Sequence, residues 1–413
     1  MNHLYVHIPF CHRVCPYCAF YKHTPGNTQM AAFVDAVVEE AKRYRDKMEI
    51  ELHTVFLGGG TPTALSETHL ERLLTELRET LGFEHVTEFT LEANPMTVTA
   101  KKAAMMRVQG VTRVSLGVQA WDEPTLKTLG RDHSPAEAAE TFTILREAGF
   151  PSLNIDLMFS VPGQTMEQWA GSLERALELK PDHISAYNLN YEEDTDFFEK
   201  LQRGLFQEAP ERDADFFFHA LDTLERAGFR HYEISNYAHP GHESAHNAAY
   251  WFGKDYLGLG PSAVSTQGLT RWKNIADTQR YLDAVQAGLL PQQEAEQLTP
   301  DQHQLERIAL ELRTAQGVPL TRLETVPPQT MATLQSEGFI EIADSTLFFN
   351  LLETFPNSLH RLSVTVDNFD SFLILCEQMP QSIAHQRLSI STFIFRIHLA
   401  FPLHQLRASF AGC

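Results

Sequence analysis

Residues 3–20 read HLYVHIPFCHRVCPYCAF, in which an apolar, strand-like run is followed by three closely spaced cysteines. Cys11, Cys15 and Cys18 form a CxxxCxxC triplet, and the chain contains only two other cysteines. Three thiolates can bind three irons of a 4Fe-4S cluster and leave the fourth iron open, whereas a closed structural site normally recruits a fourth protein ligand. The triplet therefore predicts an iron-sulfur site whose open iron captures a ligand or takes part in chemistry.

A zinc site is the main alternative, because His7 or His12 would complete a Cys3His ligand set. A disulfide is disfavoured, since three neighbouring cysteines cannot all pair and no signal peptide is recognised before them. A zinc-binding structural or interaction protein is consequently a rival class. It would leave the glycines, acids and amides described below without a common purpose.

Composition narrows the classes of protein further. The chain has 413 residues, of which 43% are apolar and 21% charged, enough for one large core or for a large domain with a smaller one. The formal charge of -20 disfavours a nucleic-acid surface, which needs basic residues to neutralise phosphates. No apolar run approaches the roughly 20 residues that span a bilayer. We therefore expect a cytoplasmic protein without a nucleic-acid partner, whose membrane contacts are at most peripheral.

Short apolar runs alternate with segments of helical periodicity through the first 240 residues. Besides the run at Tyr5, strands are predicted at Thr54–Leu57, Glu88–Glu92, Arg113–Val118, Leu153–Met158 and His183–Leu189. Helices are predicted at Met30–Arg45, Ser66–Thr80, Thr99–Gln109, Pro135–Ala148 and Met166–Leu179. This repetition favours a parallel sheet, either an incomplete βα barrel or a doubly wound sheet. Both architectures place functional residues at the carboxyl ends of the strands.

Unusual residues fall at those carboxyl ends. Residues 58–63 (GGGTPT) follow the second strand, 92–95 (EANP) end the third, 117–119 (GVQ) end the fourth, and Asp156 lies in the fifth. Successive glycines let the backbone approach a ligand closely, although a tight turn explains them equally well. Each acid or amide taken alone is explained as a helix cap or a satisfied buried group. Their recurrence at one edge of the sheet predicts a ligand site there.

The ordered set of motifs resembles that of the radical S-adenosylmethionine superfamily, in its coproporphyrinogen oxidase-like branch. The motifs are the cysteine triplet, GGGTPT, LEANP, SLGVQ, LGRDH and NIDLMFSVPGQT, and the resemblance runs from Tyr5 to about Ile342. It implies an α/β fold, an incomplete (β/α)6 barrel with a smaller, mainly helical C-terminal domain. It also implies a 4Fe-4S cluster whose open iron is chelated by the amino and carboxylate groups of S-adenosylmethionine.

The resemblance assigns roles to residues at matching positions. It implies that the metal ligands are Cys11, Cys15 and Cys18, and that the cofactor contacts are Tyr5 and Tyr17 beside the cluster, Gly59, Gly60 and Thr61 near the methionyl amine, and Glu92, Gln119, Arg131 and Asp156 around the carboxylate and ribose. These residue types suit the task. Carboxylates and an amide match ribose hydroxyls, and the planar fork of arginine can bind both oxygens of a carboxylate.

Two features distinguish the branches of this family. The similar oxygen-independent coproporphyrinogen III oxidases carry a further cysteine two positions after the triplet, where this chain has Phe20, and an N-terminal extension before the first strand. Residues 246–251 (HNAAYW) resemble the HNxxYW signature of HemW-type haem chaperones, a proposed haem-contact region. Histidine is a common axial ligand of haem iron, so the resemblance implies haem contact by His246. A single histidine is, however, more often structural.

The resemblance therefore implies a haem chaperone with three cofactors: the 4Fe-4S cluster, S-adenosylmethionine and haem. Its expected partners are acceptor haem proteins, among them respiratory proteins at the membrane, and a second copy of the chain in a homodimer. The alternative function is that of an oxygen-independent coproporphyrinogen III oxidase. No catalytic side chain is assigned in either case.

The domain organisation predicted from the sequence has three parts. Residues 1–240 form the partial barrel, 241–344 a C-terminal HemW-like domain, and 345–413 an atypical tail. The second part opens on a Gly-rich turn at 258–262 and contains a helix at 300–315 that is capped by Thr299. The tail has nine phenylalanines, four histidines and no lysine, without clear periodicity. It is either a genuine extension or the product of a frameshift, because a foldable segment shows consistent patterning.

Overall fold

Six βα units form the first half of the protein, which a computed structural model describes at residues 1–324, 326, 328–336, 338 and 340–349. The strands of these units are β1 (His3–Ile8), β2 (Thr54–Gly59), β3 (Glu88–Ala93), β4 (Arg113–Gln119), β5 (Ser152–Phe159) and β6 (His183–Asn188). The helices are α1 (Met30–Arg45), α2 (Glu67–Leu81), α3 (Ala100–Val108), α4 (Glu123–Thr128), α5 (Pro135–Glu147), α6 (Met166–Glu178), α7 (Asp196–Gln202) and α8 (Pro210–Arg226). All six predicted strands and all five predicted helices are confirmed.

Local chemistry explains where these helices begin. Ser66, Thr99, Ser134 and Thr165 each accept a hydrogen bond from a backbone N–H in the first turn of the helix that follows. The caps at Ser134 and Thr165 are capping boxes, in which the third helical residue bonds back to the cap. Each cap therefore stands where the chain leaves the carboxyl-end loop of a strand and turns back as a helix.

The strands β1 to β6 pair in parallel and in chain order, as a βα barrel requires. Their outer faces pack on the helices in one large apolar core that includes Val6, Leu57, Leu91 and Leu116. Within the described residues, the sheet runs from β12 at one edge to β7 at the other and does not close. The structure thus has the incomplete α/β barrel that the sequence predicted, with an inner face that is separate from the helix-covered core.

Residues after 228 add strands at both edges of this sheet. The further elements are β7 (Arg230–Glu233), β8 (Asn236–Ala238), α9 (Ala245–Trp251), β9 (Tyr256–Leu259), β10 (Val264–Gln267), β11 (Thr270–Asn274), α10 (Thr278–Gln286) and β12 (Gln292–Gln297). The strands β7 and β8 are separated by two residues, Ile234 and Ser235. The strand β9 pairs in parallel with β1, and β10 to β12 follow it as an antiparallel meander.

The predicted turn at 258–262 is wrong in its first half, because Gly258 and Leu259 belong to β9. Glycine is required there for packing, since a Cβ on Gly258 would collide with the carbonyl oxygen of Val264. Gly260 turns the chain with φ +93°, and a Cβ there would strike the backbone of His7. Gly260 therefore lets this segment pack tightly beside β1, and Gly258 lets it pack tightly against Val264.

The chain divides into two compact units. One unit contains Met1–His231 and Ser235–Leu298, and the other contains Tyr232–Ile234 with the described residues from Thr299 onward. The second unit comprises α11 (Pro300–Glu311), β13 (Val318–Pro319), α12 (Pro328–Ser336), β14 (Ile340–Ala343) and β15 (Thr346–Phe349). Thr299 caps α11 in a capping box, as predicted, but the helix ends at Glu311, short of Ala315.

The second unit has its own small core, in which Val318, Leu334, Ile340 and Leu347 are buried. Inside this unit, Arg307 and Arg322 both approach the buried carboxylate of Glu311, and Arg313 lies 3.1 Å from Glu233.

The domain boundaries at 240 and 344 remain predictions. The tail from 350 to 413 lies outside the described residues. Among the described helices, none is long and apolar enough to cross a membrane.

Candidate functional site

The three cysteines lie in the long loop that connects the carboxyl end of β1 to α1. All three are buried free thiols. The loop is fastened back on itself, because Cys11 N donates to His23 O at 3.0 Å and His23 N donates to Pro9 O at 2.8 Å. The thiols are thus held by backbone contacts at the edge of the sheet where a cofactor of a βα protein binds.

Two side chains from other loops donate hydrogen bonds to these thiols. Thr61 Oγ1 lies 3.6 Å from Cys11 Sγ, and Arg131 Nη1 lies 3.5 Å from Cys15 Sγ. Burial raises the pKa of the Cys11 thiol to about 11, against the smaller opposing effect of the Thr61 hydroxyl. Metal ligation would displace this proton, since the thiolate is the ligand. The donor set of three thiols with hydrogen-bond donors directed at sulfur fits an iron-sulfur cluster.

The zinc alternative with His7 is not supported by the contacts of its imidazole. His7 is fully buried, with Nδ1 3.0 Å from the Tyr5 hydroxyl and Nε2 2.7 Å from Tyr21 O. His12, the other proposed ligand, is exposed. In the described part of the chain, no three His, Cys, Asp or Glu side chains are grouped closely enough to bind one ion. The three thiols are therefore not arranged as ligands of a single metal ion.

The glycine run at the carboxyl end of β2 is required by close packing. Gly59 has φ +104°, and a Cβ on it would collide with the His7 ring. A Cβ on Gly58 would lie 2.8 Å from the Glu92 carboxyl carbon, and one on Gly60 would lie 2.8 Å from Ile8 O. Gly59 N in turn donates to Glu92 Oε2 at 3.1 Å. The tight-turn explanation thus accounts for the glycines, and the same turn brings Thr61 to the cysteine loop.

Lys102, which the sequence analysis missed, anchors the turn that follows β2. Its buried ammonium donates to three backbone oxygens, Thr63 O at 2.7 Å, Leu65 O at 3.0 Å and Thr97 O at 2.9 Å. Burial lowers its pKa. The three contacts tie the loop after β2 to the loop after β3. A lysine at the start of a helix is normally exposed, so the sequence contained no signal for this role.

Two carboxyl groups lie on the inner face of the sheet. Glu92 is buried, and its pKa is raised well above the usual range, first by desolvation and then by the nearby charge of Asp156. Asp156 is also buried, and desolvation raises its pKa to about 6 against the hydrogen bonds that it accepts. Carboxyl groups perturbed by burial and by a neighbouring charge are candidates for a ligand site.

A polar network that the sequence analysis missed surrounds Asp156. Asn154 Nδ2 donates to Asp156 Oδ1 at 2.7 Å and to Ser115 Oγ at 2.6 Å, and Ser115 Oγ lies 3.0 Å from Asp156 Oδ2. On the next strand, His183 Nδ1 lies 2.6 Å from Asn154 Oδ1. A sequence signal existed, because polar residues at every second position of otherwise apolar strands share one face.

Gln119 ends β4 in a backbone conformation with φ 69°, and its side chain is 1% exposed. Neither amide atom of Gln119 has a hydrogen-bond partner among the described residues. Left-handed backbone at a non-glycine residue is strained, and an unpaired buried amide costs about 1–3 kcal/mol. Buried amides are usually satisfied by the protein, by an ordered water or by a ligand. This amide therefore fits the hydroxyl or carboxylate groups of S-adenosylmethionine.

The remaining predicted contacts differ in their surroundings. Tyr5 lies on the inner face of β1 against Phe56, and Tyr17 packs beside Phe197 within the apolar cluster around Cys15 and Cys18. Nη2 of Arg131 uses both of its hydrogens on Asn94 Oδ1 at 2.6 Å and Gly117 O at 2.7 Å. A cofactor carboxylate would have to approach another edge of the guanidinium.

His246 is not near this group. It lies in α9 under the amino ends of β2 and β3, where its Nδ1 is 2.7 Å from Oγ1 of Thr54, the first residue of β2. Because β2 has six residues, its amino end lies roughly 16 Å from the edge of the sheet that carries the cysteines. Nε2 of His246 is 2.9 Å from the Tyr250 hydroxyl, its ring stacks on Phe56, and its side chain is fully buried. Both ring nitrogens of His246 thus have hydrogen-bond partners within the protein, and its contact with haem remains a prediction.

Similar proteins identify the family of this chain. Residues 5–176 match the family model described as the Radical SAM superfamily. The protein named Heme chaperone HemW of Lactococcus lactis is 35% identical, covering 84% of this chain and 91% of that protein. The HemW of Bacillus subtilis is 33% identical over 84% and 95%, and that of Escherichia coli is 38% identical over 63% and 68%.

The chain belongs to the HemW family. Identity above 30% over nine-tenths of the Lactococcus lactis protein is the observation that decides this. Among solved structures, the coproporphyrinogen III oxidase HemN of Escherichia coli matches with a TM-score of 0.74, covering 85% of this chain and 87% of that one. Because identity to HemN is 24%, this likeness shows the fold alone. The family and the barrel fold expected from the sequence are confirmed.

Proposed function

We propose that the protein is a haem chaperone that binds haem and delivers it to acceptor haem proteins. The observation that carries this proposal is membership of the HemW family, whose members of several bacteria bear the name Heme chaperone HemW. The haem acceptors that we propose are haem proteins of the respiratory chain. We retain the cytoplasm as the proposed location, and a homodimer as the proposed assembly.

We further propose that the chain carries a 4Fe-4S cluster and S-adenosylmethionine. The three buried thiols would bind the cluster, which leaves one iron for the cofactor, and the cluster supplies redox chemistry to that bound cofactor. Gln119, Glu92 and Asp156 supply polar groups for the cofactor at the same edge of the sheet. Support comes from the unpaired amide of Gln119 and from the match of residues 5–176 to the Radical SAM superfamily.

The oxidase alternative receives less support. Phe20 occupies the position where the sequence analysis expects the oxidases to have a further cysteine. Its partly buried side chain packs against the apolar side-chain group that contains Cys15, Tyr17 and Cys18. The likeness to HemN concerns the fold alone. We therefore keep oxidative decarboxylation of coproporphyrinogen III as the outcome that the functional test must exclude.

A haem titration of the anaerobically reconstituted protein tests the proposal. We expect stoichiometric binding in the Soret spectrum, release of haem to an apo haem protein, and no conversion of coproporphyrinogen III in the presence of S-adenosylmethionine and a reductant. Apo-protein without reconstitution serves as the control for dependence on the cluster. Steady formation of protoporphyrinogen without specific haem binding would establish the oxidase instead.

A further inference from the structure

The side chain of Asn94 joins the two donors that approach the cluster cysteines. Asn94 directly follows β3, and its Nδ2 lies 2.7 Å from Thr61 Oγ1. Its Oδ1 lies 2.6 Å from Arg131 Nη2. The same Thr61 Oγ1 lies 3.6 Å from Cys11 Sγ, and Nη1 of Arg131 lies 3.5 Å from Cys15 Sγ. A continuous chain of hydrogen bonds therefore connects two of the three thiols through one amide.

The direction of every bond in this chain follows from elementary donor chemistry. A guanidinium can only donate, so the Asn94 atom that faces Arg131 is the oxygen and the atom that faces Thr61 is the NH2 group. Thr61 Oγ1 accepts from that NH2 group. Its single hydrogen is consequently available to Cys11 Sγ. Asn94 thus directs the threonine hydroxyl toward sulfur and holds the guanidinium beside the other thiol.

Asn94 is itself held in place by its own loop. Thr97 donates to Asn94 O through both its backbone N–H, at 3.2 Å, and its hydroxyl, at 2.6 Å. Thr63 Oγ1 lies 2.6 Å from Thr97 Oγ1. The amide therefore has a fixed position relative to the turn after β2, as a positioning residue must have.

We propose that Asn94 is a positioning residue for the iron-sulfur cluster: it fixes the hydrogen bonds from Thr61 to Cys11 and from Arg131 to Cys15, and thereby raises the reduction potential of the cluster. Donors directed at thiolate sulfur stabilise the more negative, reduced cluster. This inference rests on the proposed cluster and does not depend on haem delivery. It assigns a role to a residue that the sequence analysis left as part of a motif.

The substitutions Asn94→Asp and Thr61→Val test the inference together. Asn94→Asp keeps the size and the contact with Arg131, but its carboxylate accepts from the Thr61 hydroxyl and turns the hydrogen away from Cys11. Thr61→Val removes the hydroxyl at nearly constant volume. Because the new carboxylate also lowers the potential by its charge, the double variant is needed to separate the two effects.

The measurement is an anaerobic redox titration of the reconstituted cluster followed by EPR, with iron and sulfide content determined for each variant. We expect both single variants to shift the potential to more negative values with full iron content. Thr61→Val should shift it less in the Asn94→Asp background than in the wild-type protein. Thr80→Val, at a buried threonine near the end of α2, is the matched control and should leave the potential unchanged.

If Thr61→Val shifted the reduction potential equally in the wild-type and the Asn94→Asp backgrounds, Asn94 would not direct the Thr61 hydroxyl toward Cys11. That result would overturn the proposal. If Asn94→Asp fails to hold a cluster, Asn94→Ala takes its place, and an unchanged potential in that variant would also overturn the proposal. These outcomes are distinct from failure of the proposed function. A wild-type protein that binds no haem but shows the expected potentials would reject the chaperone and keep the role of Asn94.

Discussion

Nδ1 of His246 lies 2.7 Å from Oγ1 of Thr54, at the amino end of β2 and therefore at the end of the sheet opposite to the cysteines. The His246 imidazole is in addition hydrogen-bonded to Tyr250 and stacked on Phe56. Burial lowers its pKa well below the usual value, so the ring is neutral inside the barrel. The helix that carries the HNxxYW motif thus packs under the amino ends of β2 and β3.

We expect His246→Ala to destabilise the protein, by about 2–4 kcal/mol, because it removes two buried hydrogen bonds and leaves a cavity beside Phe56. The free energy of unfolding, measured with urea, checks this. His85→Ala removes an exposed histidine and is the control. Loss of haem affinity at unchanged stability would instead establish His246 as a haem ligand.

Replacement of Cys11, Cys15 or Cys18 by Ser should abolish the iron-sulfur absorbance after anaerobic reconstitution, because serine offers no thiolate to the third iron. Cys376→Ser, a change at a cysteine outside the triplet, should leave the spectrum intact. Iron and sulfide content per chain is the measurement. Retention of four irons in a triplet variant would contradict the ligand assignment.

Asp156→Asn should weaken S-adenosylmethionine binding by about 10- to 100-fold, which is the effect of losing one charge-assisted hydrogen bond. The cluster should remain, since Asp156 contacts Ser115 and Asn154 and none of the cysteines. Calorimetry of the reconstituted protein gives the affinity. Asp132→Asn, at an exposed acid beside Arg131, is the control. Equal affinities of the two variants would argue against contact with the ribose.

Lys102→Met should lower both stability and S-adenosylmethionine affinity, because three buried carbonyl oxygens lose their common donor. Unsatisfied buried acceptors of this number predict a loss of roughly 3 kcal/mol in the free energy of unfolding. Lys101→Met is the matched control, since its ammonium is exposed and pairs only with Glu67 on the surface. Similar stability of the two variants would show that the loops after β2 and β3 do not depend on the hydrogen bonds from Lys102.

Glu40 makes the stability of the protein depend on pH. Its buried carboxyl accepts from Gly260 N at 2.9 Å, Asn274 Nδ2 at 2.6 Å and the Tyr281 hydroxyl at 2.6 Å, and desolvation raises its pKa to about 7. The folded state therefore binds a proton that the unfolded state loses above about pH 4.5. Stability from this group is complete below that pH and is lost as pH rises through about 7.

Urea unfolding at pH 5 and pH 8 measures this effect. We expect the wild-type protein to be less stable at pH 8, and Glu40→Gln to reduce the difference between the two pH values because it cannot ionise. Glu39→Gln, at the exposed neighbouring carboxylate that pairs with Arg43, is the control. An unchanged pH difference in Glu40→Gln would assign the dependence to Glu92 and Asp156, whose pKa values are also raised.

The helices and strands of the barrel follow from local sequence pattern. Hydrophobic periodicity and caps act within a few residues, so runs such as Arg113–Val118 and Met30–Arg45 determine their own conformation. The segment at 258–262 could not be assigned in this way. Its strand pairs with the free edge of β1, where Gly260 allows close approach to His7, and Gly258 allows close approach to Val264.

The sequence by itself determined the family, the βα order, the cysteine triplet and the edge of the sheet at which polar residues collect. These features depend on residue type and spacing along the chain. Tertiary structure alone decided that Lys102 clamps the glycine turn, that Asn94 links Thr61 to Arg131, and that His246 lies at the far end of β2. The reason is physical: each of these roles is set by the few ångströms between atoms that are distant in sequence, and burial then fixes the hydrogen bonds that such neighbours must form.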